Sequence, residues 1–277
     1  MKNALIIFTR VPVPGATKTR LEKKLTEEEC AEIHRAMLLD LRPLCHAKEW
    51  DTFVYFTPEG GKEVMKELLP GACSYEPQPE VEFGARMSGC IGQVLKRGYD
   101  ACALVGTDIP ELDGAIIRQA FDALMKKDMV IGATVDEGYY LVGMKSLHKE
   151  VFENQVYGTG SVFDDTVEKI KKCGCTYETL PVLRDIDEPE DIFAYWEMYE
   201  AGQQKEKIHT WECILKLNDK YQFHKKKRRT SYEEHGKSEE GRSSITPGNG
   251  NGSRYSGMWL QRRNIFGDNL GDSGRRF

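Results

Sequence analysis

No two cysteines in this chain have CxxC spacing, and none sits with histidine at the spacing of a zinc finger. Cys30, Cys45, Cys73, Cys90, Cys102, Cys173, Cys175 and Cys213 are scattered through helical and strand-like stretches. That scatter excludes a disulfide-knotted scaffold and suits reduced, mostly buried thiols of a cytosolic chain. The closest pair, Cys173 and Cys175, reads either as soft-metal ligands or, more economically, as a helix end leading into a strand. No run approaches the roughly 20 apolar residues of a membrane span. The opening run Ala4 to Phe8 is too short for a signal peptide and Arg10 follows it at once. A soluble, cytoplasmic protein without a membrane span is therefore expected. GxGxxG and GxxxxGK[ST] are both missing, which removes the main support for a Rossmann dinucleotide site or a Walker-type loop. There is no internal repeat.

What is present is a chain of 277 residues, 40% hydrophobic and 30% charged, enough for one sizeable core or two small ones. A peptide hormone and a bare coiled coil are excluded. The net charge of -5 hides an asymmetry. Residues 225–277 hold 12 Lys/Arg against 6 Asp/Glu, whereas residues 1–224 hold 27 against 38. An acidic body argues against nucleic-acid binding except through the basic tail. Residues 1–202 read as one α/β domain and residues 203–224 as a helical extension. Residues 225–277 read as a disordered tail too poor in apolar residues to offset chain entropy.

Within residues 1–202, short apolar runs alternate with helical patterns, the signature of a mostly parallel sheet covered on both faces. Strands are expected at 4–9, 52–56, 101–106, 129–134 and 139–144. The first helix begins with a capping box at Thr26 and Glu29, and its apolar stripe runs from Cys30 to Cys45 with His34 inside it. His34 reads as a packed histidine at the core edge. Further helices are expected at 61–69, 83–96, 114–126, 162–173, 189–200 and 205–223.

Four constellations carry chemistry. The first, Thr9 to Leu21, follows the first strand directly and brings Arg10, Lys18 and Arg20 to the rim where open α/β sheets bind ligands. A solvated basic loop is the competing reading. In the second, Gly106-Thr107-Asp108-Ile109-Pro110, a buried strand ends in a carboxylate suited to a hard cation; Asp108 equally suits a turn cap. The third, Asp136-Glu137-Gly138-Tyr139-Tyr140, sets two acids before an aromatic strand. Asp136 is suited to act as a base there, and the Tyr139 face to stack on a sugar or acceptor ring; the competing reading is that both acids are solvated turn residues. The fourth gathers Asp185, Asp187, Glu188, Glu190 and Asp191 before a helix, where capping and solvation are the plain alternatives.

Taken in this order, and with Phe83-Gly84-Ala85-Arg86-Met87 and Tyr157-Gly158-Thr159, these motifs resemble one bacterial family over about residues 1–200. It is the glycosyltransferase-like group associated with radical SAM and selenodomain proteins, also described as arsenosugar biosynthesis glycosyltransferases. The resemblance implies a GT-A-like nucleotide-diphospho-sugar transferase fold, related to molybdenum cofactor and phospholactate nucleotidyltransferases. It assigns Arg10, Gly15, Lys18 and Arg20 to the nucleotide and its phosphates, and Asp108 and Asp187 to a divalent metal, Mg²⁺ or Mn²⁺. Arg86 and Tyr139 are further candidates for the substrate, and Asp108 and Asp136 are the candidates for catalysis. Glu137 departs from the family, which usually has a glycine there, and the tail has no counterpart. The activity implied is metal-dependent glycosyl transfer from a nucleotide sugar to a small-molecule acceptor. The alternatives are a nucleotidyltransferase using a nucleoside triphosphate and a non-catalytic nucleotide-sensing module.

Overall fold

The computed structural model describes residues 1–158, 160–202 and 208–222. Seven strands form one sheet: β1 (Asn3–Arg10), β2 (Asp51–Thr57), β3 (Ser74–Pro77), β4 (Ala101–Val105), β5 (Met129–Thr134), β6 (Tyr139–Met144) and β7 (Tyr177–Leu183). Their spatial order is β3-β2-β1-β4-β6-β5-β7, and β6 alone runs antiparallel to its neighbours. The helices are α1 (Glu27–Asp40), α2 (Lys62–Leu68), α3 (Phe83–Leu95), α4 (Gly114–Leu124), α5 (Val162–Lys172), α6 (Pro189–Glu200) and α7 (His209–Tyr221). The mostly parallel α/β sheet expected from the sequence is thus observed.

Successive strand residues serve opposite faces, and both faces are covered. In β1, Leu5 and Ile7 join one apolar layer with Leu38, Met65 and Ile117, while Ala4, Ile6 and Phe8 join another with Met87, Ile91 and Ile170. A third cluster lies outside the sheet. There Ile33 and Met37 of α1 meet Leu21, Ile192, Tyr195 and, from α7, Trp211, Ile214 and Leu217. The extension expected at 203–224 therefore packs through α7 onto α1 and α6; the basic tail, 225–277, lies outside the described residues.

Two strands escape the sequence pattern. β3 is only four residues long and half-buried, and β7 is an edge strand that buries Leu180 alone and contains Pro181. The first helix stops at Asp40, and a 3-10 turn, Arg42–His46, continues to the end of the apolar stripe. Pro43 explains the break, because it lacks an N–H and its ring clashes with the preceding turn. The Thr26 capping box forms, with Glu29 N–H donating to Thr26 Oγ1 at 3.3 Å and Thr26 N–H to Glu29 Oε2 at 2.9 Å.

Candidate active site

From β1 the chain moves to β2 and β3 on one side, then returns to β4 on the other. The carboxyl ends of β1 and β4 therefore form a topological switch point, where the flanking loops splay apart and leave a crevice. Thr9 and Thr107 face each other across it, their hydroxyls 3.1 Å apart. Beneath them lies His34 of α1, only 2% exposed. Its Nδ1 is 2.5 Å from the Thr17 hydroxyl, and its Nε2 is 3.2 Å from Thr9 Oγ1 and 3.3 Å from Thr107 Oγ1. One ring thus ties both strand ends to the first loop. Burial pushes the His34 imidazole down to about 4, the Asp108 charge opposing and the nearby Lys18 and Arg10 charges adding to the fall.

Thr17 precedes Lys18, which adopts a left-handed conformation at φ 52°. That turn sends the Lys18 side chain inward, where it is 4% exposed. Its ammonium lies 2.7 Å from Asp108 Oδ1 and 3.3 Å from Asp187 Oδ1, and donates to the Ile186 carbonyl at 2.5 Å. Burial alone would lower the Lys18 pKa, but the two carboxylates raise it above its ordinary value. Burial likewise pushes the Asp108 carboxyl up, and Lys18, with His34 and Arg10, more than offsets this, holding it below the usual range. The next cations follow suit: Arg20 reaches Asp187 Oδ2 at 2.8 Å, Lys23 reaches Glu188 at 2.7 Å and Lys24 reaches Glu190 at 3.0 Å. The acidic run before α6 is therefore the electrostatic mate of the first loop.

The turn between β5 and β6 supplies Asp136. Its Oδ1 accepts from the Gly138 N–H at 3.1 Å and from the Thr134 hydroxyl. A Cβ on Gly138 would stand 2.8 Å from Thr134 Oγ1 and 3.2 Å from Asp136 Oδ1, so this turn requires glycine. Glu137, at φ 69°, accepts the Phe163 N–H through its carbonyl and so tethers the start of α5. Asp185 stands nearby; burial and the charges of Asp136, Asp187 and Asp191 push its carboxyl up to about 7. An aromatic wall completes the site, with the Phe83 ring 4.8 Å from Tyr157 and 5.9 Å from Phe8, each edge to face.

These groups line one cavity of about 500 Å³. It gathers Arg10, Lys18, Arg20, Arg86, Asp108, Asp136, Tyr139 and Asp187. Gly15 stands outside the lining. Its φ is +71°, and a Cβ there would stand 2.9 Å from the Glu27 carboxylate, so the turn itself favours glycine. Arg86 donates its Nε to the Val81 carbonyl at 2.6 Å, which anchors the guanidinium at the cavity edge. His34, Thr9, Thr17, Thr107 and Asp185 also line the cavity, and sequence reasoning gave none of them a role in it.

Residues 41–159 match the family described as "Uncharacterized protein conserved in bacteria (DUF2064)". No curated protein matches the sequence. Among solved structures, a "putative nucleotide-diphospho-sugar transferase" from Desulfovibrio desulfuricans G20 is 26% identical, with a TM-score of 0.71 over 79% of this chain and 96% of that one. A cytidylyltransferase from Leptospira borgpetersenii is 15% identical, with a TM-score of 0.47 over 79% of this chain and 94% of that one. The manganese complex of Rv0371c from Mycobacterium tuberculosis is 15% identical, with a TM-score of 0.44 over 71% and 99%. The chain thus shares the fold of the nucleotide-diphospho-sugar transferase-like proteins.

Proposed function

We propose that this protein is a transferase that binds the phosphates of a nucleotide at the β1/β4 crevice and moves a glycosyl group from a nucleotide sugar to a small-molecule acceptor. The observation that carries this reading is the convergence of Arg10, Arg20 and Arg86 on a single cavity that also holds Asp136 and the Lys18 ammonium paired with Asp108 and Asp187. A diphosphate needs several charge-assisted donors, and forked guanidinium groups suit it best. Arg10 is exposed and makes no ion pair among the described residues; its Nη1 reaches only the Ala16 carbonyl, at 3.5 Å. Arg20 is half-exposed beside it in the same lining. The overall likeness to the Desulfovibrio protein supports the transferase class. The sequence resemblance favours glycosyl over nucleotidyl transfer.

Asp108 and Asp187 are the residues that would hold a divalent cation, Mg²⁺ or Mn²⁺. Both are hard oxygen donors, and one oxygen of each already converges on a single cationic centre, the Lys18 ammonium. When bound, such an ion neutralises charge on the diphosphate leaving group. Lys18 competes with it for the same two oxygens. Asp136 is the proposed base: Thr134 and Gly138 fix its Oδ1, leaving Oδ2 to take the acceptor's hydroxyl proton. Tyr139, at the start of β6, offers a ring for the sugar or acceptor to pack against.

Product analysis tests the reading. Incubation of the full chain with nucleotide sugars, Mg²⁺ or Mn²⁺ and a panel of small-molecule hydroxyl acceptors should release free nucleoside diphosphate as the glycosyl group passes to an acceptor or, more slowly, to water. Pyrophosphate release from a nucleoside triphosphate would assign nucleotidyl transfer instead, and binding without either product would assign a sensing module.

A further inference from the structure

At the opposite rim of the sheet from the cavity, two connections meet. The one after β6 carries His148 and Glu150, and the one between α5 and β7 carries Cys173 and Cys175. The register sets them far from the crevice: Met144, the last residue of β6, pairs with Cys102 near the start of β4, and Tyr177 of β7 pairs with Met129 at the start of β5. The length of β4, roughly 17 Å at about 3.3 Å per residue, separates the two rims.

The ligand atoms of His148, Glu150 and Cys173 all lie within 4.8 Å of one another. A second thiol stands alongside, with Cys175 Sγ 3.4 Å from His148 Nε2 and 3.7 Å from Nδ1. Tetrahedral zinc has metal–sulfur bonds near 2.3 Å and metal–nitrogen or metal–oxygen bonds near 2.0–2.2 Å, which puts neighbouring donors roughly 3.3–3.8 Å apart. The donors of His148, Glu150 and Cys173 are close enough to converge on one ion, and Cys175, which stands over the His148 ring outside that group of three, joins them once its side chain and the ring turn. The two thiols also sit on a fixed turn: Cys173 N–H donates to the Lys169 carbonyl at 3.0 Å, Gly174 N–H to Lys171 at 3.0 Å and Cys175 N–H to Ile170 at 3.3 Å. Gly174, at φ +70°, permits the reversal that ends α5 between the two cysteines. On the other connection, Phe152 N–H donates to the Lys149 carbonyl at 2.9 Å, and Lys169 Nζ ties Glu153 and Gln155 to α5 at 2.7 and 2.6 Å. Leu147, Cys173 and Cys175 pack against the same apolar layer as Val151 and Ile170. Both halves of the donor set are thus positioned by backbone and packing.

We propose that Cys173, Cys175, His148 and Glu150 form a binding site for a borderline-soft divalent metal ion such as Zn²⁺, separate from the crevice. Two sulfurs, one imidazole and one carboxylate give a four-donor set that selects zinc or cobalt over magnesium. The bound ion clips the connection after β6 to the start of the edge strand β7.

The test uses the reduced, metal-stripped full chain titrated with Co²⁺ and then Zn²⁺. Wild type should take up one equivalent of Co²⁺ with a thiolate-to-cobalt charge-transfer band and tetrahedral d–d bands, both lost when Zn²⁺ displaces it. The Cys173→Ser/Cys175→Ser variant should lose the charge-transfer band and bind at least about 100-fold more weakly. Should that variant fail to fold, His148→Ala, a substitution on the surface connection, should still weaken binding at least about 10-fold. Asp108→Asn should leave the bands unchanged. A charge-transfer band that survives in the double variant, or a wild-type spectrum without one, would overturn the assignment.

Discussion

Lys18 Nζ stands between Asp108 Oδ1 and Asp187 Oδ1, at 2.7 and 3.3 Å, so an internal ammonium holds together the two carboxylates best placed for a metal ion. One comes from the end of β4 and the other from the segment before α6. A backbone bond from Ile186 N–H to the Asp108 carbonyl, 2.9 Å, fixes the same junction. The ion pair ties the two sides of the crevice together and places a competitor at the oxygens proposed to hold a metal ion.

Replacing Lys18 by Met therefore has two expected effects. Stability falls by roughly 2 kcal/mol, the scale of a lost charge-assisted contact that leaves a carboxylate unpaired. Affinity for Mn²⁺ rises, because the ion no longer displaces the ammonium. Urea denaturation with and without Mn²⁺ checks both; a variant whose metal affinity is unchanged would show that Lys18 and the ion do not compete.

Arg20 is proposed to hold the phosphates. Arg20→Ala should weaken nucleoside diphosphate binding by about 1.5–3 kcal/mol, the range of a hydrogen bond to a charged group. Because Arg20 is 52% exposed, the loss should shrink in high salt. Calorimetry at two ionic strengths reads this out, and wild-type affinity at low salt would remove Arg20 from the site.

The two proposed catalytic aspartates should fail differently. Asp108→Asn should keep the fold and lower activity on the order of 100-fold or more, with metal-dependent binding lost. Asp187→Asn should show the same pattern more weakly. Asp136→Asn should lower turnover while donor affinity stays close to wild type, the pattern of a group that acts in the transition state. A parallel loss of donor affinity in Asp136→Asn would move this residue to the donor side of the site.

His34 makes stability depend on pH. Its imidazole titrates near 4 when folded against 6.5 ordinarily, so between those values the unfolded chain takes up a proton that the folded chain refuses. The neutral ring's advantage is complete above about pH 6.5 and is lost as pH falls toward 4, amounting to roughly 3 kcal/mol. Urea midpoints from pH 4 to 7, compared between wild type and His34→Gln, should show the extra slope in wild type alone. Parallel curves would mean that His34 is not held neutral.

The sequence made the sheet legible where strands are buried on both faces, as at Leu5, Ile7 and their alternating partners. β7 was hidden because only Leu180 of its seven residues is buried, so it carries no apolar run. The cavity lining was legible where a polar residue stands at the carboxyl end of a strand, as with Arg10, the last residue of β1, and Asp108, which follows β4. His34 was not. Its stripe in α1 reads as packing, and its partners Thr9 and Thr107 lie 25 and 73 residues away, brought to it only by the fold. Asp185 looked like one acid in a capping run, and its raised pKa arises from burial and from Asp136, a residue on another turn. The charge pattern did hold its own mate, since Lys18, Arg20, Lys23 and Lys24 answer Asp187, Glu188 and Glu190, but no spacing rule joins segments so far apart.

If the β1/β4 crevice binds nucleotide phosphates through its arginines, calorimetric titration will show it. The full chain is titrated with a panel of nucleoside diphosphates and nucleotide sugars in the presence of Mn²⁺, in parallel with Arg10→Ala/Arg20→Ala. Wild type should bind at least one nucleotide saturably, and the double variant should bind it at least about 100-fold more weakly. Binding of equal strength in both proteins, or no binding of any nucleotide to wild type, would rule the crevice out as a phosphate site.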